Sequence, residues 1–486
     1  MKNTASPIPP ASARHAAPFT RRRFLQTTAL AALAGAAFPC DRLLAAAGTP
    51  AAGAAGAGAA RFKNLVTSGR KIRIAGIGVG ARGSAHLAPS ATEDLVALCD
   101  VDFDRARKSF ALYPRLPRYR DYRQMLDEMG DRIDAVVIST PDHMHFPAAL
   151  MAIERGKHVY VEKPMTHTIG EARLLKTAAA RHGVVTQMGN QGAAGEGCRI
   201  TREWIEAGVI GAVREVHSWT NRPVWPQGVE LPAPDPRDKK SAAPVPPTLD
   251  WNLWLGVAPL RQYAKGIMPF DWRGFVDYGC GALGDMGCHI LNAPFFALDL
   301  RGDCTVSAES SGMSAVAWPA WSVITYQFPQ RGKRAPLKLV WYDGDEKKGA
   351  RRPALPAALG PGVKLSKGGN LYIGDQGVLM DTNDYGGVPQ IHPEARRKEF
   401  LAARPEKTLP RAFKNSIHQD WFRAIKGEGP APCSNFVDHA ADLAELVLLG
   451  NLALQAGQPI RWDAAAGACA GRPDLDRYIH KNYRLF

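Results

Sequence analysis

Between residues 71 and 83 the chain reads Lys-Ile-Arg-Ile-Ala-Gly-Ile-Gly-Val-Gly-Ala-Arg-Gly. The apolar, β-rich run 71–78 leads directly into a G-x-G-x-x-G pattern at Gly78–Gly83, and a short helix is expected to follow. In that context the glycines allow a tight turn and bring the backbone close to a pyrophosphate at the helix N-terminus. The pattern predicts the first unit of a dinucleotide-binding sheet. The alternative is a tight turn with no ligand.

The pattern of strands and helices continues beyond this turn. The helix expected at 168–182 opens with Thr168-Ile-Gly-Glu171, a capping-box pattern, and closes before Gly183, as a helix C-terminus should. Further strands are predicted at 95–99, 135–139, 158–161 and 184–188, and further helices at 102–110, 122–129 and 147–155. Strands and helices that alternate at this spacing predict an α/β domain with a doubly wound parallel sheet, a Rossmann fold.

The alternation fades after about residue 192. Strands are predicted at 213–220, 322–328 and 337–341, and residues 431–454 look largely helical. A proline-rich stretch, 223–247, is expected to be mostly loop and to border the site. This half of the chain is therefore predicted to be a separate α+β domain.

The first 47 residues have the pattern of an export signal. Thr20-Arg21-Arg22-Arg23-Phe24-Leu25-Gln26 precedes an uncharged, alanine-rich run to Phe38, and Ala45–Ala47 offers a cleavage site. The arginine pair followed by Phe-Leu is typical of the twin-arginine route, so the export machinery is an expected partner and the periplasm, or another exported location, the expected address. A buried N-terminal helix is one alternative. Lipidation at Cys40 is another, although Ala37-Phe38-Pro39 makes a poor lipobox.

These observations divide the chain into four parts. Residues 1–47 are the predicted twin-arginine signal peptide, and residues 48–67 a linker, because 48–60 contain only Gly, Ala, Thr and Pro. Residues 68–190 are the predicted Rossmann domain, and residues 191–486 the C-terminal domain for substrate binding and oligomerisation.

Charge and cysteine usage exclude several classes of protein. The formal charge of +15 becomes about +10 once the six basic residues and one acidic residue of the leader are removed, and these charges are scattered. Nucleic acid is therefore not an expected partner, and the excess charge serves solubility. No stretch reaches the ~18 apolar residues of a membrane span. Removal of Cys40 leaves seven cysteines without a Cys-x-x-Cys pair. Zinc binding and thioredoxin-like functions are therefore not expected, and at most one disulfide is expected.

Polar residues follow three of the predicted strands, at the carboxyl edge where open sheets bind ligands. Asp100, 22 residues after Gly78, can accept hydrogen bonds from a ribose 2′-hydroxyl and would repel a 2′-phosphate, which favours NAD over NADP. Ser139–His145 follows a buried strand, and Glu162-Lys163-Pro164 follows the next. A partly desolvated Lys163 can polarise a hydroxyl or carbonyl, although in isolation Glu-Lys-Pro is more often a solvated turn.

A third group lies in the second half, at Gly281–His289. Asp285 and His289 are four residues apart and share one face of a helix. A histidine beside a carboxylate is a competent proton acceptor near neutral pH. A pair at this spacing is also common as a structural or surface feature. No convincing third ligand accompanies it, so no metal is expected.

Together these motifs resemble the glucose–fructose oxidoreductase/inositol dehydrogenase superfamily, often written Gfo/Idh/MocA. The segments that carry the resemblance are Gly78–Gly83, Asp134–His145, Glu162–Pro164 and Gly284–His289, with 250–256, 272–274, 448–451 and 462–463 similar to an exported bacterial subgroup. The resemblance implies that Lys163 binds the reacting hydroxyl, that His289 is the base and that Asp285 supports it. It also implies a large, open, mostly antiparallel C-terminal sheet, often used for homo-oligomerisation. The residues expected to contact the cofactor are Gly78, Gly80, Arg82, Gly83, Asp100, Thr140, Pro141, His145, Glu162, Lys163 and Asn190.

Three functions are compatible with the sequence. The leading one is an exported NAD(P)-dependent oxidoreductase acting on a sugar, polyol or glycoside hydroxyl, with a tightly bound cofactor that a second substrate reoxidises. The second is a redox-neutral glycoside lyase or hydrolase that works through a transient keto-sugar. The third is a non-catalytic dinucleotide- or sugar-binding protein, against which the intact Lys163, Asp285 and His289 argue.

Overall fold

The computed structural model describes residues 61–67, 69–229, 242–403 and 405–486. The predicted signal peptide and residues 48–60 of the predicted linker lie outside these ranges. Residues 61–67, the remainder of the predicted linker, pack against the first domain. The Val66 side chain is only 1 % exposed, and its backbone N–H donates to the Ile425 carbonyl oxygen.

The N-terminal domain contains a six-stranded sheet in the order β3-β2-β1-β4-β5-β6, and all of its strand pairs are parallel. Every residue of the neighbouring strands β4 and β5 is buried, as expected for a parallel sheet covered on both faces. The six strands are β1 (Arg73–Ile77), β2 (Asp94–Cys99), β3 (Arg118–Tyr119), β4 (Ala135–Ile138), β5 (His158–Val161) and β6 (Thr186–Met188). The predicted Rossmann sheet is confirmed, with one short strand, β3, that the sequence pattern missed.

Five helices connect these strands: α1 (Ala81–Ser90), α2 (Arg107–Leu112), α3 (Tyr122–Met129), α4 (His145–Glu154) and α5 (Ile169–His182). Helix α2 begins five residues later than predicted, because the chain forms turns after Asp102. The capping box of α5 is present, with the Thr168 hydroxyl accepting from the Glu171 N–H and the Glu171 carboxylate accepting from the Thr168 N–H. Gly183 closes this helix at a φ of +64°.

The C-terminal domain contains a nine-stranded sheet in the order β13-β12-β11-β7-β10-β9-β8-β14-β15. Only β7 and β10 pair in parallel, so the predicted large, mostly antiparallel sheet is confirmed. Its strands are β7 (Val213–Thr220), β8 (Cys304–Ser310), β9 (Ser322–Phe328), β10 (Leu337–Asp343), β11 (Gly368–Gly374), β12 (Gly377–Asp381), β13 (Gln390–His392), β14 (Ile460–Asp463) and β15 (Ala468–Cys469).

The described part of the C-terminal half contains eight further α-helices. They are α6 (Glu196–Glu206), α7 (Trp251–Leu255), α8 (Gly281–Ile290), α9 (Asn292–Leu298), α10 (Glu394–Ala402), α11 (Ile417–Ile425), α12 (Ala441–Ala456) and α13 (Asp476–Ile479). Helix α8 packs closely on α12, because Gly287 and Gly450 leave room for Val447 and Leu283. This packing fixes the position of α8, which carries Asp285 and His289.

The boundary predicted at residue 191 does not divide the structure cleanly. Helix α11 comes late in the chain but covers the N-terminal sheet, where the Trp421 indole N–H donates to the Val185 carbonyl and its ring lies edge-on to Tyr160 at 5.8 Å. Buried residues between 412 and 425 therefore belong to the core of the first domain.

All seven cysteines of the described residues are free, so the single disulfide that the sequence allowed does not form among them. Within the same residues, no helix has the length and apolar character needed to cross a membrane.

Candidate active site

A cavity of about 450 Å³ lies at the carboxyl ends of β1, β2, β4 and β5, where it also meets α8 and the loops of the C-terminal domain. Eight of the predicted cofactor residues line it: Gly78, Gly80, Arg82, Asp100, Thr140, Pro141, Glu162 and Lys163. Asp285 and His289 line the same cavity, so the structure brings the glycine turn, the Glu-Lys-Pro segment and the α8 pair together.

The glycine turn depends on the absence of side chains. Gly78 has a φ of +75°, and a Cβ there would lie 2.8 Å from the Ser139 carbonyl group. A Cβ on Gly83 would overlap the Gly78 carbonyl oxygen. Because the first turn of α1 faces the cavity and contains no acidic residue, its N–H groups are suited to a pyrophosphate.

Asp100 lies at the end of β2 and has two backbone partners. Its carboxylate accepts from the Gly80 N–H at 2.9 Å and from the Asp102 N–H at 3.0 Å. Burial raises the pKa of Asp100 to about 6. The carboxylate therefore holds the glycine turn against β2, and it also faces the part of the cavity where the ribose of a dinucleotide would lie.

Glu162 forms a buried polar cluster behind the next strand end. Its Oε1 accepts from His86 Nε2 at 2.8 Å and from Arg82 Nε at 3.1 Å, and His86 Nδ1 lies 2.9 Å from His418 Nε2. Burial alone would raise the pKa of Glu162, but the hydrogen bond from His86 and the charge of Arg82 hold it below its ordinary value. The cluster keeps Glu162 ionised and fixes the strand end that carries Lys163.

Lys163 and Asp285 form an ion pair between the two domains. Lys163 Nζ donates to Asp285 Oδ1 at 2.6 Å and to the Asp285 carbonyl oxygen at 3.0 Å. Burial opposes the charge of Lys163, but Asp285 and Glu162 outweigh it and raise the lysine pKa. Arg273 Nε lies 3.6 Å from the same Asp285 oxygen. Lys163 is therefore held as an ammonium ion at the cavity wall.

His289 is 3 % exposed and lies one helical turn after Asp285. Its Nδ1 is buried with no hydrogen-bond partner among the described residues, and its ring lies edge-on to Tyr385 at 4.9 Å. Burial and the charge of Lys163 lower the pKa of His289 to about 3, so the ring is neutral at physiological pH. The family resemblance implies that Asp285 supports His289. In the structure the Asp285 carboxylate accepts a hydrogen bond from Lys163.

Three predicted cofactor residues lie behind the lining of the cavity. Gly83 is inside the glycine turn. The two ring nitrogens of His145 lie 2.7 Å from the Pro164 carbonyl and 2.9 Å from the Thr140 carbonyl, so this residue joins two strand ends. Asn190 donates to the Cys288 carbonyl and to Asn292. Their contact with the cofactor remains a prediction, and their visible role is to position the wall.

Several lining residues were not assigned a role from the sequence. Among them are Asp142, Arg222, Trp225, Arg273 and Tyr385. Trp225 belongs to the stretch 223–247 that was expected to border the site, and Arg273 to the Trp-Arg-Gly segment noted for its resemblance alone. Tyr385 lies on a loop with no recognisable pattern. In the part of the chain that the structure describes, no cluster of three or more His, Cys, Asp or Glu side chains could hold a metal.

The fold resembles that of several solved dehydrogenases. The WlbA dehydrogenase from Bordetella pertussis, in complex with NADH and UDP-GlcNAcA, is 16% identical, with a TM-score of 0.55 over 81% of this chain and 99% of that one. A levoglucosan dehydrogenase in complex with NADH and L-sorbose is 17% identical, with a TM-score of 0.51 over 81% and 99%. At these identities the likeness concerns the fold alone.

Among curated proteins, the chain is 36% identical over 166 residues to glycosyl hydrolase family 109 protein 2 from Shewanella sp. strain ANA-3. The match covers 32% of this chain and 35% of that protein, so the chain spans about a third of the length of the curated relatives it matches.

Two family matches cover the two domains. Residues 72–190 match the oxidoreductase family with an NAD-binding Rossmann fold, and residues 236–348 match the C-terminal alpha/beta domain of the oxidoreductase family. The glycine turn lies within the first matched range, and Arg273, Asp285 and His289 lie within the second. Residues 72–190 and 236–348 are therefore similar to the two domains of the Gfo/Idh/MocA oxidoreductase family, whose Rossmann fold binds NAD.

Proposed function

We propose that this protein is an exported oxidoreductase that removes hydride from a CH–OH group of a sugar, polyol or glycoside. The observation that carries the proposal is the convergence of Lys163, Asp285 and His289 on the cavity that also contains the glycine turn. A cation, a carboxylate and a neutral imidazole at one end of a dinucleotide site are the groups that oxidation of an alcohol requires.

Bound NAD supplies the hydride acceptor in this reaction. Lys163 donates a hydrogen bond to the substrate oxygen and stabilises the negative charge that develops there, because its raised pKa keeps it protonated. His289 takes the hydroxyl proton, since the ring is neutral and one nitrogen has no other partner among the described residues. Asp285 is a positioning residue that holds the Lys163 ammonium at the wall.

The preference for NAD over NADP rests on Asp100, whose carboxylate would repel a 2′-phosphate. Tight retention of the cofactor is proposed from the twin-arginine pattern, because that route exports folded proteins with their cofactor inside. A homo-oligomer formed through the C-terminal sheet completes the proposal, and size-exclusion chromatography with light scattering measures it.

The decisive experiment uses purified protein with its bound cofactor, a panel of sugars, polyols and glycosides, and no added NAD. We expect at least one compound to reduce the bound cofactor, and mass spectrometry to detect the ketone or lactone product. If no member of the panel changes the cofactor spectrum and none is altered, the proposed activity is wrong.

A redox-neutral glycosidase or lyase is the second candidate, and the identity to a glycosyl hydrolase family 109 protein favours it. Transient oxidation of a sugar carbon acidifies the neighbouring C–H, so that elimination can follow before the hydride returns. The same panel separates the two functions. Cleaved glycosides with no net change of cofactor indicate the second, and accumulation of oxidised product with reduced cofactor indicates the first.

A further inference from the structure

The cavity wall carries both cations and carboxylates. Among the cations are Lys163, Arg222 and Arg273, and among the carboxylates are Asp142 and Asp285. Asp285 is already bonded to Lys163 Nζ at 2.6 Å, and the Asp142 carboxylate accepts from the Cys280 N–H at 3.0 Å. Within the described residues, neither carboxylate accepts a hydrogen bond from Arg222 or Arg273, so both guanidinium groups keep donors for a ligand.

Most of the N–H donors of Arg273 are unused within the described residues. Its Nη1 donates to the Phe270 carbonyl at 3.1 Å, while its Nε lies 3.6 Å from Asp285 Oδ1, too far for a hydrogen bond. A guanidinium has five N–H donors, and within the described residues the others of Arg273 make no hydrogen bond. The side chain is only 19 % exposed, so these donors face the cavity and little bulk water.

Aromatic rings hold the Arg273 guanidinium in place. Its carbon lies 4.2 Å from the centre of the Trp272 ring, 4.5 Å from that of Phe270 and 6.0 Å from that of Trp225. Trp225 and Phe270 also pack edge-on at 5.8 Å. Rings on several sides exclude water and restrict rotation, so the planar fork is oriented before a ligand arrives.

Arg222 adds a second cation on the neighbouring loop. It is half-buried, lines the cavity and donates from Nη1 to Asn221 Oδ1 at 3.0 Å. Within the described residues it makes no ion pair shorter than 4.0 Å, although Asp384, outside the lining, is near enough to interact with its charge. The site thus offers two arginines and no hydrogen-bonded carboxylate for either.

We propose that the substrate is an anionic sugar, and that Arg273, with Arg222, binds an oxyanion group of that sugar while Lys163 contacts the hydroxyl that reacts. A uronate carboxylate is the simplest such group, and a sugar sulfate presents the same chemistry. The proposal rests on the proposed function, because it names the substrate class of the same site. The guanidinium fork matches two oxygens of one anion, which a neutral hydroxymethyl group does not provide.

The test compares matched glycosides that differ only at C6. Methyl glucoside, methyl glucuronide and methyl glucoside 6-sulfate, with the corresponding galactosides and mannosides, are mixed with the cofactor-loaded protein, and reduction of the bound cofactor is followed. We expect the acid of at least one series to react faster than its neutral partner, with a preference that falls as salt is added. Comparison of the glucuronide with the 6-sulfate shows which of the two anionic groups the site prefers.

Substitutions test whether Arg273 causes the preference for the anionic glycoside. In Arg273→Gln the preference for the acid over the neutral glycoside should fall about 10- to 100-fold, the range for loss of a hydrogen bond to a charged group. Arg273→Lys keeps the charge but loses the planar guanidinium group, so it should retain part of the preference for the acid. It replaces the glutamine variant in the assay if that variant does not fold. Arg202→Gln is the control, because Arg202 pairs with Glu206 on α6 and does not line the cavity.

The outcomes separate this inference from the proposed function. Neutral glycosides that react as fast as their acids, or a preference that Arg273→Gln leaves intact, would overturn the anion site while leaving the oxidoreductase assignment in place. A protein that oxidises no sugar of either charge would overturn both.

Discussion

Replacement of Lys163 by methionine removes one charge from the site and keeps most of the side-chain volume. A unit charge about 4 Å from a developing negative charge stabilises it by roughly 4 kcal/mol at an effective dielectric constant of about 20. Asp285, 2.6 Å from Nζ, cancels part of that effect. We therefore expect a loss of about 3 kcal/mol of transition-state stabilisation, which corresponds to a rate roughly 100-fold lower.

The assay is single-turnover reduction of the bound cofactor by the preferred substrate, with cofactor content and thermal melting measured for each variant. Lys163→Met should still hold its dinucleotide, because the Lys163 ammonium bonds Asp285 and the glycine turn is elsewhere. His289→Ala should also retain cofactor and lose roughly 10²- to 10⁴-fold in rate, as expected for loss of a general base.

The pH dependence provides a second readout of the same variant. Lys163 is one of the groups that lower the pKa of His289 to about 3, whereas Asp285 raises it. His289 acts as a base only when neutral, so the rate falls as the pH drops through that pKa. Without Lys163 the His289 pKa rises, and the acid limb of the profile should move to higher pH. A near-normal rate with an unmoved acid limb would refute the role given to Lys163.

Three further predictions concern the cofactor and the turn that holds it. Heat denaturation followed by chromatography should release about one dinucleotide per chain, as expected for one Rossmann site, and a purified apo protein that binds neither NAD nor NADP would contradict this. Asp100→Ala should weaken NAD binding and relax discrimination against NADP in calorimetric titrations, because the carboxylate both faces the ribose and holds the Gly80 N–H; a wild type that prefers NADP shows the assignment to be wrong. Gly83→Ala should lower the melting temperature, at a cost of about 1–3 kcal/mol for overpacking, because its Cβ overlaps the Gly78 carbonyl. Gly130→Ala is the matched control, since a Cβ there meets nothing within 4 Å.

Local patterns in the sequence were sufficient to predict the architecture. A buried parallel strand reads as an apolar run, as in His158–Val161, and the glycine spacing of Gly78–Gly83 permits few structures other than a strand–turn–helix. The capping box at Thr168 and the left-handed glycine at Gly183 are equally local, and both appear as predicted. Short elements such as β3 were missed, because a strand of two residues is too short to show a periodic pattern of apolar residues.

The partners of the site residues were not available from the sequence. A four-residue spacing places Asp285 and His289 on one helix face, but it does not reveal that Lys163, 122 positions earlier in the chain, bonds the Asp285 carboxylate. The cluster of His86, Glu162 and His418 is likewise assembled from three distant segments.

The sequence by itself determined the fold class, the dinucleotide turn and the polar residues at the strand ends, because each depends on neighbours within a few positions. The tertiary structure alone decided that Asp285 pairs with Lys163 rather than with His289, that the late helix α11 completes the first domain, and that Arg273 lies among aromatic rings at the cavity wall. These features depend on how α8 and the loops of the second domain pack against the first sheet. Charge and burial at a site are set by whichever groups that packing brings within a few ångströms, regardless of their separation along the chain.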